Sequence, residues 1–363
     1  MSSTSKPAIV VTGVSGNLGL RLLAQLEEFQ VVGVDLFAPK TPVPINFCHV
    51  DVGHEAACRQ LVEILKTRNV RAVVHLAFIV DPLLSGVTDL DRMWQINVAG
   101  TARVMEAITE VNRQGGSIDT FIFPSSVSVY GSETYGPVKE DHPLGACSLP
   151  YAIHKHEADN VVRFRADALG DCTSYILRPH IYAGASVQNY LIGVLRGTPS
   201  GKGKRAERMR QKGTRLPILS PNRRFLENRF QFVHVDDMAR LIAHILRLPI
   251  KRKNNLTILN VAGRGESITV EQAAHIAQAK IVSVPGRAAM ELAVRTAWKL
   301  GISGVPPEAL PYLVGSYTMN TSRLKAFLGD DYDKVIQHTN SAALEDTFRE
   351  EPKTQAASAA KKV

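Results

Sequence analysis

Short apolar runs separated by amphipathic stretches fill the first half of the chain. The runs at residues 7–12, 31–34, 70–76 and 121–123 are rich in β-branched or aromatic residues, which is typical of strands buried on both faces. Residues 18–29, between the first two runs, show helical spacing instead. Strands that alternate with helices predict a parallel sheet covered on both sides. We therefore expect an α/β protein with a doubly wound parallel sheet and a smaller C-terminal lobe.

A glycine-rich turn follows the first predicted strand directly. Gly13 permits a tight turn, Gly16 lets the backbone approach a pyrophosphate, and Gly19 lets the next helix lie close to the strand. The spacing is G-x-x-G-x-x-G, whereas many dehydrogenases have G-x-G-x-x-G. Strand, glycine turn and helix together indicate a dinucleotide site, and a turn without a ligand is the alternative. The predicted cofactor-binding residues of this turn are Gly13, Ser15, Gly16, Asn17, Leu18 and Gly19.

Polar side chains at the ends of the next strands refine the choice of cofactor. Asp35 ends the second predicted strand, 22 residues after Gly13. An acid at this position accepts hydrogen bonds from the ribose hydroxyls and repels the 2′-phosphate of NADP, so NAD is favoured over NADP. A solvated acid without a ligand is the alternative. The order of elements along the chain predicts further cofactor contacts at Asp51, Val52, Leu76 and Ala77.

A tyrosine and a lysine four residues apart indicate a site for proton transfer. Tyr151 and Lys155 share one face of a predicted helix, and Ser126 stands 25 residues before the tyrosine. A free tyrosine has a pKa of about 10, so we expect the Lys155 ammonium to lower the pKa of Tyr151. Ser126 is then placed to hold a substrate oxygen while Tyr151 transfers its proton. Tyr-x-x-x-Lys also occurs by chance on exposed helices, and the prediction therefore depends on the preceding glycine turn and strands.

With these residues the chain resembles the extended short-chain dehydrogenase/reductases, the NAD-dependent epimerase/dehydratase family. The resemblance implies a Rossmann sheet, NAD as the cofactor and a catalytic set of Ser126, Tyr151 and Lys155. It covers about residues 6–262, and its motifs lie at residues 12–19, 97–101, 125–131, 151–155 and 232–239. The cofactor contacts that it adds are Asn97, Tyr151, Lys155 and Pro179.

Two departures from the family pattern bear on the reaction. Nucleotide-sugar enzymes of the family often have an asparagine and an arginine where this chain has Ile181 and Phe230. Both changes favour an NAD-dependent dehydrogenase or reductase that interconverts an alcohol and a carbonyl. The alternative is a nucleotide-sugar epimerase or dehydratase with a retained NAD, although Val127 and Ser128 stand where dehydratases often have an Asp-Glu pair. A non-catalytic NAD-binding or RNA-associated regulator is a third hypothesis, against which the presence of serine, tyrosine and lysine counts.

The positive charge of the chain is concentrated in one segment. The net charge is +9, and residues 196–229 contain eleven basic and two acidic residues. We expect a mobile basic loop that closes over an anionic substrate such as a phosphate or carboxylate. Contact with nucleic acid or an acidic membrane surface and a solvated loop without a ligand are the alternatives. The stretch between Leu195 and Arg224 lacks the stacking aromatics that favour nucleic acid. The candidate substrate residues are Ser128, His180, Arg205, Arg208 and Arg229.

The order of the predicted elements also divides the chain into domains. Residues 6–182, completed by about 230–262, form the expected NAD-binding domain. Residues 183–229 and 263–350 form the expected substrate-binding lobe. The stretch 351–363 is rich in Ala, Lys and Ser and is expected to be disordered.

The remaining composition bears on metals, compartment and partners. The cysteines have no zinc spacing, so we expect no metal and free thiols in a reducing cytoplasm. No apolar run approaches the roughly 20 residues of a membrane helix, and the first residues lack the apolar core of a signal peptide. We therefore expect a cytoplasmic protein without membrane contact. The family's habit of pairing helices between subunits implies a possible homodimer. The cysteines are Cys48, Cys58, Cys147 and Cys172.

Overall fold

The structure is a computed structural model that describes residues 6–80, 85–134, 136–249 and 255–349. The predicted disordered tail at 351–363 lies outside these ranges. Within them, no helix is both long enough and apolar enough to cross a membrane.

The strands and helices are numbered in chain order. The strands are β1 (Ala8–Thr12), β2 (Gln30–Asp35), β3 (Asn46–His49), β4 (Val70–His75), β5 (Thr120–Pro124), β6 (Pro137–Val138), β7 (Thr173–Pro179), β8 (Ile181–Ala183), β9 (Ile218–Ser220), β10 (Arg229–Phe230), β11 (Phe232–His234), β12 (Asn255–Val261), β13 (Ile268–Thr269), β14 (Ile281–Ser283) and β15 (Thr318–Met319). The helices are α1 (Asn17–Leu23), α2 (Ala57–Thr67), α3 (Leu90–Trp94), α4 (Gly100–Arg113), α5 (Pro150–Arg165), α6 (Tyr190–Arg196), α7 (Lys204–Gln211), α8 (Val235–Arg247), α9 (Val270–Ile276), α10 (Gly286–Lys299), α11 (Leu310–Val314), α12 (Ser322–Leu328), α13 (Tyr332–Val335) and α14 (Asn340–Phe348).

Seven parallel strands form the central sheet, and this confirms the predicted α/β fold class. The strand order is β12-β7-β5-β4-β1-β2-β3. β1 is buried along its whole length, as its β-branched residues predict. The chain runs outward from β1 to β2 and β3, and then returns to β4 on the other side of β1. Strand order therefore reverses between β1 and β4, which opens a crevice for a ligand at the C-terminal ends of these strands.

Helices cover both faces of the sheet. On one face α2, α4 and α5 pack on the strands through a cluster that includes Leu61, Met105 and Val162. On the other face α1, α8, α12 and α13 pack through a cluster that includes Leu22, Ile245 and Leu324. The segment 263–350 is expected to belong to the substrate-binding lobe as a whole. Its helices α12 and α13 instead pack on the sheet.

The first helix is shorter than its apolar spacing predicts. Residues 18–29 are predicted to be helical, but α1 ends at Leu23. The chain then turns, with Leu26 N bonded to Leu23 O and Phe29 N bonded to Leu26 O. Leu26 and Phe29 are still buried in the same cluster as α1. The spacing therefore predicts burial correctly but backbone conformation only in part.

The second lobe consists of short strand pairs around its own apolar cluster. β6 pairs with β15, β8 with β11, β9 with β14, and β10 with β13. A capping box between Thr269 and Gln272 begins α9. Helix α10 also packs in this lobe.

The basic segment 196–229 is not the mobile loop that the sequence predicts. It contains α7, β9, β10 and a short 3-10 turn. Ala206, Ile218 and Phe225 are buried and anchor it. Gly201 packs so closely that a Cβ atom there would lie 2.1 Å from a carbonyl oxygen of the turn after α10. The loop prediction was wrong because the anchoring residues are too far apart to give a helix or strand period.

A buried ion pair joins the sheet to α5. Arg178 in β7 is 1% exposed and Asp159 in α5 is fully buried. Hydrogen bonds of 2.8 and 2.9 Å join Nη2 and Nε of Arg178 to the two carboxylate oxygens. Ser125, which follows β5, donates to the same carboxylate at 2.6 Å. The Nη1 atom of Arg178 donates to Tyr130 Oη at 2.8 Å and to the Glu140 carbonyl at 2.9 Å. The network therefore ties β5, β7 and α5 together.

Removing one partner of this pair leaves the other charge buried and unpaired. We expect Arg178→Met or Asp159→Leu to lower the free energy of unfolding by about 3–5 kcal/mol. The double variant should lose clearly less than the two single losses combined, because it leaves no unpaired charge. Urea unfolding of the four proteins measures this cycle, and strictly additive losses would contradict it. Arg247→Met, which removes an exposed pair with Glu28, is the control and should lose less than about 1 kcal/mol.

Candidate active site

A long cleft opens at the crevice between β1 and β4. One part, of about 640 Å³, lies over the C-terminal ends of β1, β2 and β4. The other part, of about 680 Å³, extends to β7, β8 and the second lobe. Ser15, Gly16, Phe78 and Ile79 line both parts. We call the first part the cofactor cleft and the second the reaction cavity.

The glycine turn lines the cleft where its two parts meet. Gly13 has a φ of +69°, and a Cβ atom there would lie 2.5 Å from Ala77 N. A Cβ atom on Gly19 would lie 2.5 Å from the Val14 carbonyl oxygen, so α1 approaches the strand as closely as the sequence predicts. Ser15, Gly16 and Asn17 line the reaction cavity. Leu18 packs in the core beside the sheet and is not part of the described lining.

Asp35 and Asp51 both line the cofactor cleft. The Asp35 carboxylate accepts hydrogen bonds from Ser15 N at 3.0 Å and from Leu36 N at 2.7 Å. Asp51 accepts from Gly53 N at 2.9 Å and forms an ion pair with Arg92. Backbone N–H groups therefore hold both carboxylates at the strand ends. The other predicted residues on this wall are Val52, Leu76 and Ala77, and the structure adds Phe37, whose ring is 78% exposed.

A buried chain of hydrogen bonds supports the backbone that follows β4. His75 lies with Nδ1 2.7 Å from Thr12 Oγ1 and with Nε2 3.1 Å from Thr101 Oγ1. Burial lowers the pKa of His75 to about 3, so the ring is neutral. Asn97 accepts from Ile79 N at 2.6 Å and donates to Ile79 O at 3.0 Å. Asn97, a predicted cofactor contact, is fully buried and holds the loop that lines the cleft.

Ser126, Tyr151 and Lys155 come together beside the reaction cavity. Ser126 and Tyr151 line it and are hydrogen-bonded to each other. Ser126 Oγ also accepts from Ser128 N at 3.1 Å and from Ser128 Oγ at 2.9 Å. Lys155 Nζ donates to the Pro124 carbonyl at 2.6 Å. The three predicted catalytic residues are therefore neighbours, with Lys155 one helical turn behind Tyr151.

The electrostatics of this group differ from the expectation in one respect. Burial raises the pKa of Tyr151, and only the hydrogen bond with Ser126 opposes this effect. Burial also lowers the pKa of Lys155 to about 7, against the attraction of Asp159. The Lys155 ammonium lies 3.5 Å from the centroid of the Phe78 ring. The Tyr151 pKa therefore shifts opposite to the expected lowering by Lys155, because desolvation by burial is the largest effect on it.

The remaining predicted residues divide into two groups. Pro179, His180 and Ser128 line the reaction cavity. Both ring nitrogens of His180 already have backbone partners, Tyr317 O at 3.1 Å and Ile181 N at 2.9 Å. Burial lowers its pKa to about 4, so the ring is neutral. His180 is thus a wall of the cavity and has no ring nitrogen left for a ligand.

The arginines proposed as substrate ligands lie away from the cleft. Arg205, Arg208 and Arg229 are absent from the described lining of both parts. Arg229 donates to the Ser267 carbonyl at 2.9 Å. Arg210, from the same basic segment, donates to two backbone carbonyls of that segment. The expected role of these arginines in binding an anionic substrate therefore has no geometric support.

The cavity has an aromatic character that the sequence does not predict. Tyr182, Tyr190, Tyr312 and Tyr317 line it together with Leu313. Among the described residues no lysine, arginine, aspartate or glutamate lines this cavity. These tyrosines come from a short strand, two short helices and a loop, so no sequence pattern could group them.

Outside the cleft, three side chains that could bind a metal ion lie close together, although no metal is expected from the sequence. Possible ligand atoms of His234, Asp237 and His338 lie within 4.8 Å of one another. The two imidazole rings stack at 3.9 Å, and His338 Nδ1 lies 2.8 Å from Asp237 Oδ1. The cluster joins β11 and α8 to the segment before α14, and its hydrogen bonds give it a structural role.

The fold and this site define a short-chain dehydrogenase/reductase, a Rossmann-type enzyme with a serine, tyrosine and lysine at the edge of its dinucleotide cleft. A model of the NAD dependent epimerase/dehydratase family matches residues 9–262. The chain belongs to this family, as the resemblance predicts. The family's description names NAD, which confirms the expected cofactor.

Curated relatives match part of the chain. UDP-glucose 4-epimerase of Mus musculus is 26% identical over 174 residues, which cover 43% of this chain and 48% of that protein. UDP-glucose 4-epimerase of Haemophilus influenzae is 28% identical over 196 residues, which cover 51% of this chain and 56% of that protein. The chain spans about half the length of the curated relatives it matches.

Solved structures share the whole fold. UDP-glucose 4-epimerase of Thermus thermophilus, in complex with NAD, aligns with a TM-score of 0.65 at 17% identity and covers 95% of this chain and 100% of its own. The enzyme WbmH of Bordetella bronchiseptica, in complex with NAD+, aligns with a TM-score of 0.63 at 16% identity and covers 95% and 98%. At these identities the likeness is one of fold.

The buried amine predicts how stability depends on pH. The folded-state pKa of Lys155 is about 7, below the 10.5 of a free lysine. Its burial therefore destabilises the fold fully below pH 7, and this cost disappears as the pH rises toward 10.5. We expect Lys155→Met to gain stability relative to the parent at pH 6 and to lose that advantage by pH 10. Thermal unfolding at pH 6, 8 and 10 measures the difference, and a gap that does not change with pH would contradict the assignment.

The hydroxyl of Tyr182 is buried in the cavity wall and has no hydrogen-bond partner among the described residues. An unsatisfied buried polar group costs about 1–3 kcal/mol. Without substrate, we expect Tyr182→Phe to raise the free energy of unfolding by about 1 kcal/mol. Tyr317→Phe is the matched control and should lower it, because the Tyr317 hydroxyl donates to Tyr312 O at 3.0 Å. If both variants lose stability in urea unfolding, the Tyr182 hydroxyl has a partner in the folded protein.

Proposed function

We propose that the chain is an NAD-dependent epimerase that keeps its cofactor bound through each turnover. The sequence alone favours a dehydrogenase or reductase, with this epimerase as the alternative. The relatives support it, since those compared are UDP-glucose 4-epimerases.

A contact between the glycine turn and the loop after β8 supports it as well. Asn17 in the glycine turn donates to the Ser186 carbonyl at 3.1 Å and accepts from Ser186 Oγ at 3.0 Å. This bridge between the turn and the loop after β8 hinders exchange of a bound dinucleotide.

The residues of the cleft suit NAD. The glycine turn has no Cβ atom at Gly13 or Gly16 to block a pyrophosphate. Asp35 offers carboxylate oxygens where ribose hydroxyls bind, and this favours NAD over NADP. Phe37 and Val52 present apolar surface for the adenine. Bound NAD supplies the nicotinamide ring that takes up a hydride and returns it.

Tyr151 carries the proton transfer in this proposal. Its phenolate oxygen takes the proton of the substrate hydroxyl, and the phenol that results gives a proton back when the carbonyl is reduced. Ser126 donates a hydrogen bond to the substrate oxygen. Lys155 provides positive charge behind Tyr151 and stabilises the phenolate that accepts the proton.

An epimerase must also turn its carbonyl intermediate so that the hydride returns to the other face. The reaction cavity permits this turn, because no charged side chain among its described lining residues pins the intermediate through an ion pair. Four tyrosine rings offer broad contact surfaces and few fixed hydrogen bonds. The uncharged, aromatic wall is the observation on which the proposal of epimerisation depends most.

The nature of the substrate beyond its reacting carbon is a separate question. The relatives' names make nucleotide sugars the first compounds to assay. Two features of this chain weaken diphosphate binding. Phe230 is buried against Tyr317 with a ring separation of 5.8 Å, and Arg229 points to Ser267. A dehydrogenase acting on an uncharged alcohol is therefore the second candidate function.

The proposed enzyme is a homodimer that pairs α3, α4 and α5 between subunits. Leu90 and Trp94 of α3 and Phe164 of α5 are exposed, Phe164 to 83%. Trp94 Nε1 donates to Glu157 of α5 at 2.7 Å, so the two helices already present one shared surface. Large apolar side chains at one surface are typical of a subunit interface.

We expect freshly purified protein to release about one NAD or NADH per chain when it is denatured, because the Asn17–Ser186 bridge joins the glycine turn to the loop after β8. Mass spectrometry of the released nucleotide measures this. An empty protein that binds and releases NAD freely would instead favour the dehydrogenase. Release of NADP would contradict the role of Asp35.

Tyr151→Phe is the matched control for this experiment. It removes the hydroxyl that transfers the proton and leaves the aromatic ring. The variant should keep its NAD and its fold but lose turnover of any substrate that the parent accepts. A variant with full activity would contradict the assignment of Tyr151.

A further inference from the structure

A second cavity lies beside the reaction cavity, in the second lobe. Its volume is about 280 Å³, and it lies between α6, α10, α11 and the segment that includes β9. Its walls include Ile218, Phe225, Met290 and Val294. None of the described residues that line it carries a charge. We call it the apolar cavity.

The apolar cavity and the reaction cavity share one wall. Helix α6 presents Leu191 to the reaction cavity and Val194 to the apolar cavity. Helix α11 presents Tyr312 to the first and Val314 to the second. Leu313 lines both cavities. Leu313 is therefore part of the wall that the two cavities share.

The few hydroxyl groups in the apolar cavity are largely engaged already. Ser200 Oγ accepts from Gly304 N at 2.8 Å. Ser303 Oγ accepts from Val305 N at 3.1 Å. Burying a polar ligand group here would leave that group with few partners, which is unfavourable. A hydrocarbon group would gain from leaving water.

Gly193 keeps this cavity open. It lies inside α6, where glycine is less favourable than alanine. A Cβ atom built on it meets no atom within 4 Å. Its φ is not in the left-handed region, so neither backbone strain nor a close contact explains a glycine at this position. Any larger side chain would project into space that borders the cavity.

We propose that the apolar cavity binds a hydrocarbon group of the same substrate whose hydroxyl carbon reacts at Tyr151. The substrate is then an amphipathic alcohol, with its polar end among the tyrosines and an aliphatic or alicyclic group beyond Leu313. For the reacting end of the substrate, the inference rests on the proposed function. For the hydrocarbon end, it rests on the apolar cavity itself.

A series of 2-alkanols tests this site without any turnover. We use 2-hexanol, 2-heptanol, 2-octanol and 2-nonanol, and measure binding to the purified protein by isothermal titration calorimetry. Affinity should tighten by about fourfold for each added methylene until the cavity is full. Gly193→Leu should abolish this dependence on chain length. Gly193→Ala is the matched control and should keep it.

The outcomes separate this inference from its rivals. An affinity that does not change with chain length, or a dependence that Gly193→Leu leaves intact, overturns the inference. UDP is the second probe. If UDP binds more tightly than the alkanols and loses its affinity in Gly193→Leu, the inference is also overturned. If Gly193→Leu fails to fold, Val294→Phe closes the same cavity from α10 and replaces it.

The NAD content of the same preparation separates the two proposals. Retained NAD without chain-length-dependent binding overturns the hydrocarbon site alone. Chain-length-dependent binding in a protein without retained NAD overturns the proposed epimerase alone and leaves the hydrocarbon site in place.

Discussion

The buried ion pair between Arg178 and Asp159 is the constraint on which the site depends. Tyr151, Lys155 and Asp159 follow one another at four-residue steps along α5, so they share one face of the helix. Arg178 grips Asp159 with two hydrogen bonds, and this fixes the rotation of α5 against the sheet. Ser125 bonds to the same carboxylate, so the neighbouring Ser126 is positioned by the same contact. An ion pair this deep contributes little net stability, and its effect here is geometric.

Because this packing excludes water, it also determines the protonation states of the buried groups at the site. Burial lowers the pKa values of Lys155 and His75 and raises that of Tyr151. The ground state is therefore close to neutral, with a phenol beside an amine that is only partly charged at pH 7. Tyr151 must become a phenolate before it can accept the substrate proton, and burial opposes this ionisation. The same burial leaves the attraction between that phenolate and a Lys155 ammonium weakly screened.

Local chemistry explains which parts of this arrangement the sequence could predict. The glycine turn, the strand ends and the Tyr151–Lys155 spacing are set by short stretches of chain, and each lies at the predicted place. Asp159 carries a signal of the same kind, four residues beyond Lys155, but its partner Arg178 becomes evident only when β7 is placed beside α5. The tyrosines of the reaction cavity come from four separate elements or loops. No periodicity connects Tyr182 with Tyr317, so long-range packing alone could reveal an aromatic wall.

Charge did not predict the structure of the basic segment, and the reason is physical. A net positive segment predicts an anion only if its side chains face the site. In the basic segment, Arg210 and Arg215 instead donate to backbone carbonyls and hold the segment to the lobe. Arginine suits this task because its planar fork of donors can bind several carbonyls at once. The same segment supplies Ile218 and Phe225 to the apolar cavity. The arginines of the segment thus hold it in place from outside the apolar cavity. The side chains that it contributes to the lining of that cavity carry no charge.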